Sequence, residues 1–107
     1  MAIESIVIES AERYIQALNK KVPIKSAWLF GSYVRGQETP ESDLDIAVVS
    51  EAFDVNAFLS RRAANRIFFE FDSPFDMEVH CFGIHQFNAD DALVGEILKT
   101  GIPLQIH

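Results

Sequence analysis

The sequence predicts an α+β fold, a small mixed β-sheet with helices packed on its faces. Helical and two-residue apolar periods alternate along the chain, turn residues separate them, and 107 residues with 49% apolar content suffice for one modest core. The expected order is α-β-α-β-α-β-α in a single domain over 1–107. A first helix, about residues 2–20, carries Ile3, Val7, Ala11, Tyr14, Ile15 and Leu18 on one side and leaves Glu4, Glu9, Glu12 and Lys20 to water, with Pro23 ending it. The apolar run Ser26-Ala27-Trp28-Leu29-Phe30 reads as a buried strand that stops at Gly31, and Ser32 opens a short helix. In Asp43-Leu44-Asp45-Ile46-Ala47-Val48-Val49 the period of two sends Leu44, Ile46 and Val48 to one face of a strand and Asp43 with Asp45 to the other. A third helix is expected over 54–69, with Asp54 as N-cap, Val55, Phe58, Leu59, Ala63 and Ile67 inward, and Arg61, Arg62 and Arg66 on its other sides. The third strand, Phe75 to Phe82, alternates Phe75, Met77, Val79 and Cys81 against Asp76, Glu78, His80 and Phe82. The last helix, about 88–100, stops at Gly101 with Pro103 beyond, and residues 104–107 are too few to assign.

Composition narrows the function. A net charge of −7 and a pI near 4.8 argue against this chain alone gripping a polynucleotide, since phosphate binding normally shows as a basic stripe. A small substrate or a protein partner is easier to accommodate. Cys81 is the single cysteine and reads as an inert small apolar residue, the opening Met-Ala-Ile-Glu lacks the look of a signal peptide, and the apolar runs are too short to cross a membrane. A cytoplasmic location is the default. Phe68, Phe69, Phe71 and Phe75 place apolar surface on more sides than one core absorbs, which favours an interface.

The chemistry concentrates between Gly31 and Asp45. Gly31 has no Cβ and lets a polyphosphate approach the backbone, while Ser32 adds free helix-start N–H groups and a hydroxyl. Two acids on one strand face, with Cα atoms roughly 7 Å apart, can converge on hard cations, for which magnesium is the natural candidate. The plain alternative is a solvated acidic pair at a strand edge, but like charges side by side are costly without a cation. His80 shares the acidic face of the third strand and reads as a polar contact, because magnesium prefers oxygen; His85 and His107 read as surface residues.

Gly31-Ser32, ten intervening residues and Asp43-Leu44-Asp45 resemble the signature of the DNA polymerase β-like nucleotidyltransferase superfamily. Arg35, Gly36, Ser42 and the short chain are similar to its minimal nucleotidyltransferase branch. The resemblance implies that superfamily's fold and transfer of a nucleoside monophosphate from ATP or another nucleoside triphosphate, with two magnesium ions held by Asp43, Asp45 and a third acid. The family sets that acid inside the strand after the third helix, which matches Glu78 better than Asp76, the latter reading as a solvated strand entrance. Gly31 and Ser32 would bind the β- and γ-phosphates. Arg35 would add a phosphate contact or else pair with Glu38 or Glu41, and Ser42 would bond near the metals or simply cap a turn. The resemblance also implies a helical HEPN-type partner, with this chain as the antitoxin that adenylylates it. An antitoxin acting by occlusion, or the catalytic subunit of an aminoglycoside-like small-molecule transferase, are the alternatives.

Overall fold

The structure, a computed structural model, describes residues 5–39, 42–56, 58, 62–66 and 75–106. Helix α1, Ser5–Asn19, buries Val7, Ala11, Tyr14, Ile15 and Leu18 as its period requires; Ile3 and Glu4 lie outside the described residues. It stops ahead of Pro23. Lys21 and Val22 N–H bond back to the Leu18 carbonyl at 2.9 and 2.8 Å and so close the helix end, while Asn19 Oδ1 accepts from Ile24 N at 2.9 Å and ties the following loop to it.

Strand β1, Ser26–Phe30, leads through the single turn α2, Ser32–Arg35, to β2, Leu44–Val49, which pairs antiparallel with it. The chain then passes through α3, Ala52–Val55, and the helical residues 62–66, α4, before β3, Met77–Phe82, joins β2 in parallel. Helix α5, Ala92–Thr100, precedes β4, Ile102–Pro103, and the strand order is β3-β2-β1-β4. The fold is therefore α+β with a four-stranded mixed sheet. Against the expected order, the third helix is divided into α3 and α4 and one strand is added: β4, whose Ile102 and Pro103 pair antiparallel with Leu29 and Trp28.

The third helix departs from the expectation. It begins at Ala52 rather than Asp54 and breaks at Asn56, whose φ of −145° and ψ of 73° are not helical. That break resets the phase of the apolar pattern. Phe53 is buried, whereas Val55 and Phe58 are 84% and 69% exposed; Leu59, Arg61 and Ile67 lie outside the described residues. Asp54 lies inside α3, whose N-cap is Glu51. The Asp54 carboxylate accepts from Ile84 N at 2.7 Å, pinning the exit of β3 to α3. Helix α5 also starts later than expected, because Asp91 Oδ1 accepts from Leu93 N and Val94 N at 2.9 and 3.1 Å and caps it there. Of the phenylalanines read as an interface, Phe68, Phe69 and Phe71 are outside the described residues, and Phe75 is half-buried with its ring edge-on to Tyr33.

The sheet separates two apolar layers. Leu44, Ile46 and Val48 join α1, Phe53 and Ala64 on one face, tied by the Tyr14 hydroxyl, which donates to the Ala64 carbonyl at 2.9 Å; burial pushes the Tyr14 phenol far above its ordinary pKa. The other face carries Phe30, Ala47 and Ile97 with Trp28, Phe82 and Phe87 against them, under α5. Asp45, Glu78 and His80 stand on this second face, at the end of the sheet where β1 gives way to α2.

Candidate active site

Gly31 sits at φ 87° and ψ −154°, a region open in practice only to glycine. A Cβ there would collide with Asp45 Oδ2 and lie 2.9 Å from Asp45 Cγ. The missing side chain lets the turn after β1 press against the acid on β2. Val34 N and Arg35 N both donate to the Gly31 carbonyl at 3.1 Å, so the N–H groups of Ser32 and Tyr33 start the helix without an intrahelical acceptor. Gly36, left-handed at φ 71°, ends the turn by donating to the Ser32 carbonyl.

The other two motif residues serve the connecting loop. Arg35 is exposed, and its Nε donates to Gln37 Oε1 at 3.3 Å. Ser42 Oγ accepts from Thr39 N at 2.8 Å while Ser42 N donates to the Thr39 carbonyl at 3.0 Å, a turn cap ahead of β2. Glu41 is outside the described residues.

The parallel register decides which acid of β3 meets β2. Glu78 lies opposite Asp45, and His80 opposite Ala47. Asp76 precedes the ladder; its carbonyl accepts from Leu44 N at 2.9 Å and its side chain is exposed. Asp45, Glu78 and His80 each present one donor atom within 4.8 Å of the others'. Asp43, just before the first paired residue of β2, is exposed and stands outside that group.

His80 completes the group. Its Nε2 is 3.6 Å from Asp45 Oδ1 and 3.8 Å from Glu78 Oε1, past hydrogen-bond reach of both. That nitrogen is buried and has no hydrogen-bond partner among the described residues. The Phe30 ring stands edge-on to the imidazole, with centroids 5.1 Å apart. The i, i+2 spacing from Glu78 on a strand is the signal that places His80 here; the preference of magnesium for oxygen is what hides it as a candidate ligand in the sequence. Burial raises the Asp45 carboxyl above its ordinary pKa, the charges of Glu78 and Asp43 add to the rise, and His80 works against it.

Residues 11–81 match the family of the nucleotidyltransferase domain. The chain belongs to this family. The matched span contains β1, α2, β2 and nearly all of β3, and so every residue of the cluster. Among relatives, the nucleotidyltransferase domain is 43% identical over 56 residues to a proposed protein adenylyltransferase of Methanocaldococcus jannaschii, an alignment covering 52% of this chain and 53% of that protein. It is 37% identical over 62 residues to a proposed protein adenylyltransferase of Haemophilus influenzae, covering 58% of this chain and 53% of the relative. The chain thus spans about half the length of the curated relatives it matches. A crystal structure of a proposed nucleotidyltransferase from Sulfolobus solfataricus aligns with 96% of this chain and 89% of its own, at 19% identity and a TM-score of 0.48. No helix among the described residues is long and apolar enough to cross a membrane.

Proposed function

We propose that this chain is a minimal nucleotidyltransferase that moves AMP from ATP to a hydroxyl of a partner protein. The observation that carries the reading is the in-register pair Asp45 and Glu78 set against the glycine turn at Gly31. Relatives named as protein adenylyltransferases favour a protein acceptor and AMP as the group moved.

Each residue has a task. The Ser32 and Tyr33 N–H groups and the Ser32 hydroxyl hold the β- and γ-phosphates, with Gly31 keeping the approach clear. Arg35, one turn along, can leave Gln37 for a phosphate oxygen. Ser42 keeps the loop folded so that β2 begins at a fixed place. Asp43, Asp45 and Glu78 form the third side. Glu78 accepts the proton of the acceptor hydroxyl as that oxygen bonds to the α-phosphorus, and the bond from the α-phosphorus to pyrophosphate breaks. Asp45 and Glu78 offer hard oxygen donors across one strand pair, and Asp43, on the same strand face as Asp45, would supply the third carboxylate of a set for two Mg2+ ions. When bound, these ions lower the pKa of the attacking hydroxyl and neutralise the leaving pyrophosphate.

The acceptor we assign is a helical HEPN-type protein encoded beside this chain, which makes the chain the antitoxin of the pair and places it in the cytoplasm. The acidic surface, net charge −7, does not favour a nucleic-acid acceptor. Transfer of label from ATP carrying it in the α-phosphate to that partner, with Mg2+ present, tests the assignment. Label retained on the native chain's partner and lost with Asp45→Asn is the expected result; a partner held tightly but never labelled contradicts it in favour of occlusion.

A further inference from the structure

We infer that the cation centre is a mixed nitrogen and oxygen site, in which His80 Nε2 ligates beside Asp45 and Glu78, and that it takes a first-row transition dication in preference to Mg2+. The inference deepens the proposed function and rests on it for the place of the site. Its own warrant is the imidazole.

A histidine that served only as an ion-pair partner would close on one carboxylate, at about 2.8 Å. Here Nε2 stands 3.6 Å from Asp45 Oδ1 and 3.8 Å from Glu78 Oε1, nearly midway between them and bonded to neither. Ligands about 2.1 Å from a six-coordinate ion lie about 3.0 Å apart when adjacent and about 4.2 Å apart when opposite. Both distances fall inside that interval, and the 4.8 Å limit on the whole group exceeds it by little. Closing the nitrogen–oxygen separations by less than about 1 Å would bring them to the spacing of adjacent ligands.

The His80 side chain is 27% exposed, but its Nε2 atom is covered. Nε2 is shielded from solvent with no hydrogen bond among the described residues, although a buried polar atom left unsatisfied is costly. The Phe30 ring packs at a steep angle against the imidazole, with centroids 5.1 Å apart, and the register of β3 on β2 brings His80 to the face that carries Asp45 and Glu78. Imidazole is a poor ligand for Mg2+ and a good one for the transition dications, whose affinity for mixed nitrogen and oxygen sites exceeds that of magnesium. Asp43, outside the group, remains available as an oxygen ligand to a second, harder ion.

The probe is Mn2+ on the whole chain. Electron spin-echo modulation of the bound ion should show the nitrogen coupling of a directly ligated imidazole, and calorimetry should give Mn2+ at least tenfold tighter than Mg2+. His80→Ala and His80→Asn should remove the nitrogen coupling and cut the Mn2+ to Mg2+ affinity ratio several-fold, while Asp45→Asn should abolish the binding of both ions. Should either His80 variant fail to fold, the nitrogen coupling of the native chain decides alone. Mn2+ bound in an Asp45-dependent way without nitrogen coupling overturns the inference and leaves the transferase reading standing. Failure of both ions to bind, even with ATP present, overturns both.

Discussion

Replacing Asp45 by Asn should stabilise the cation-free protein while abolishing its response to divalent ions. Asp45 and Glu78 present oxygens within 4.8 Å of each other, the Asp45 side chain only 22% exposed and that of Glu78 61%. With water-like screening, which the exposure of Glu78 warrants, Coulomb's law gives about 1 kcal/mol of repulsion at that separation. For a domain of this size that is about 4 °C in Tm. The sign follows from the raised pKa: the folded chain holds the Asp45 proton more tightly than the unfolded chain, so stability falls as pH rises from the ordinary 3.8 through the raised value. The advantage of the Asp45→Asn variant should therefore be full at neutral pH and vanish as pH falls to the ordinary carboxylate value. Thermal denaturation in chelator across pH, for both proteins, reads this directly, and added Mg2+ or Mn2+ should raise the native Tm alone. An Asp45→Asn variant no more stable than the native protein at neutral pH, or an advantage that persists unchanged in acid, would refute the argument.

Further predictions follow from single contacts. Gly31→Ala combines a glycine-only backbone with a collision at Asp45 and should cost on the order of 2–3 kcal/mol in denaturant unfolding, against about 1 kcal/mol for the left-handed penalty at Gly36→Ala. Tyr14→Phe removes a buried hydrogen bond to the Ala64 carbonyl and should cost about 1–2 kcal/mol with activity retained, measured by the same unfolding and by label transfer. Asp91→Ala should cost about 1 kcal/mol, since two α5 N–H groups lose their cap. In label transfer, Glu78→Gln should lower the rate at least about a hundredfold and Asp76→Asn less than about threefold, because the register sets Glu78 opposite Asp45.

What the sequence made legible was local. The helical stripe of Val7 to Leu18 and the alternation of Leu44 to Val48 depend on period alone, and both appear on the faces the pattern assigns. Strand β4 escaped notice because two residues, one of them proline, carry no period; it exists through pairing with β1, far away in sequence. The third helix was drawn as one element from Asp54 because nothing in an apolar, arginine-rich segment marks Asn56 as the break. At the site, the alternation put Asp76, Glu78 and His80 on one face and the resemblance favoured Glu78 over Asp76, while the pairing of Glu78 with Asp45 needed the parallel register of β2 and β3. The contact between Gly31 and Asp45, and the orphaned Nε2 of His80, exist only once three strands are assembled.

The most direct test of the central claim is the intact mass of the HEPN-type partner after incubation with this chain, ATP and Mg2+, with Asp45→Asn as control. The account predicts that the partner gains the mass of one AMP residue or more with the native chain and none with the variant. A partner of unchanged mass that still forms a stable complex with the native chain would contradict it.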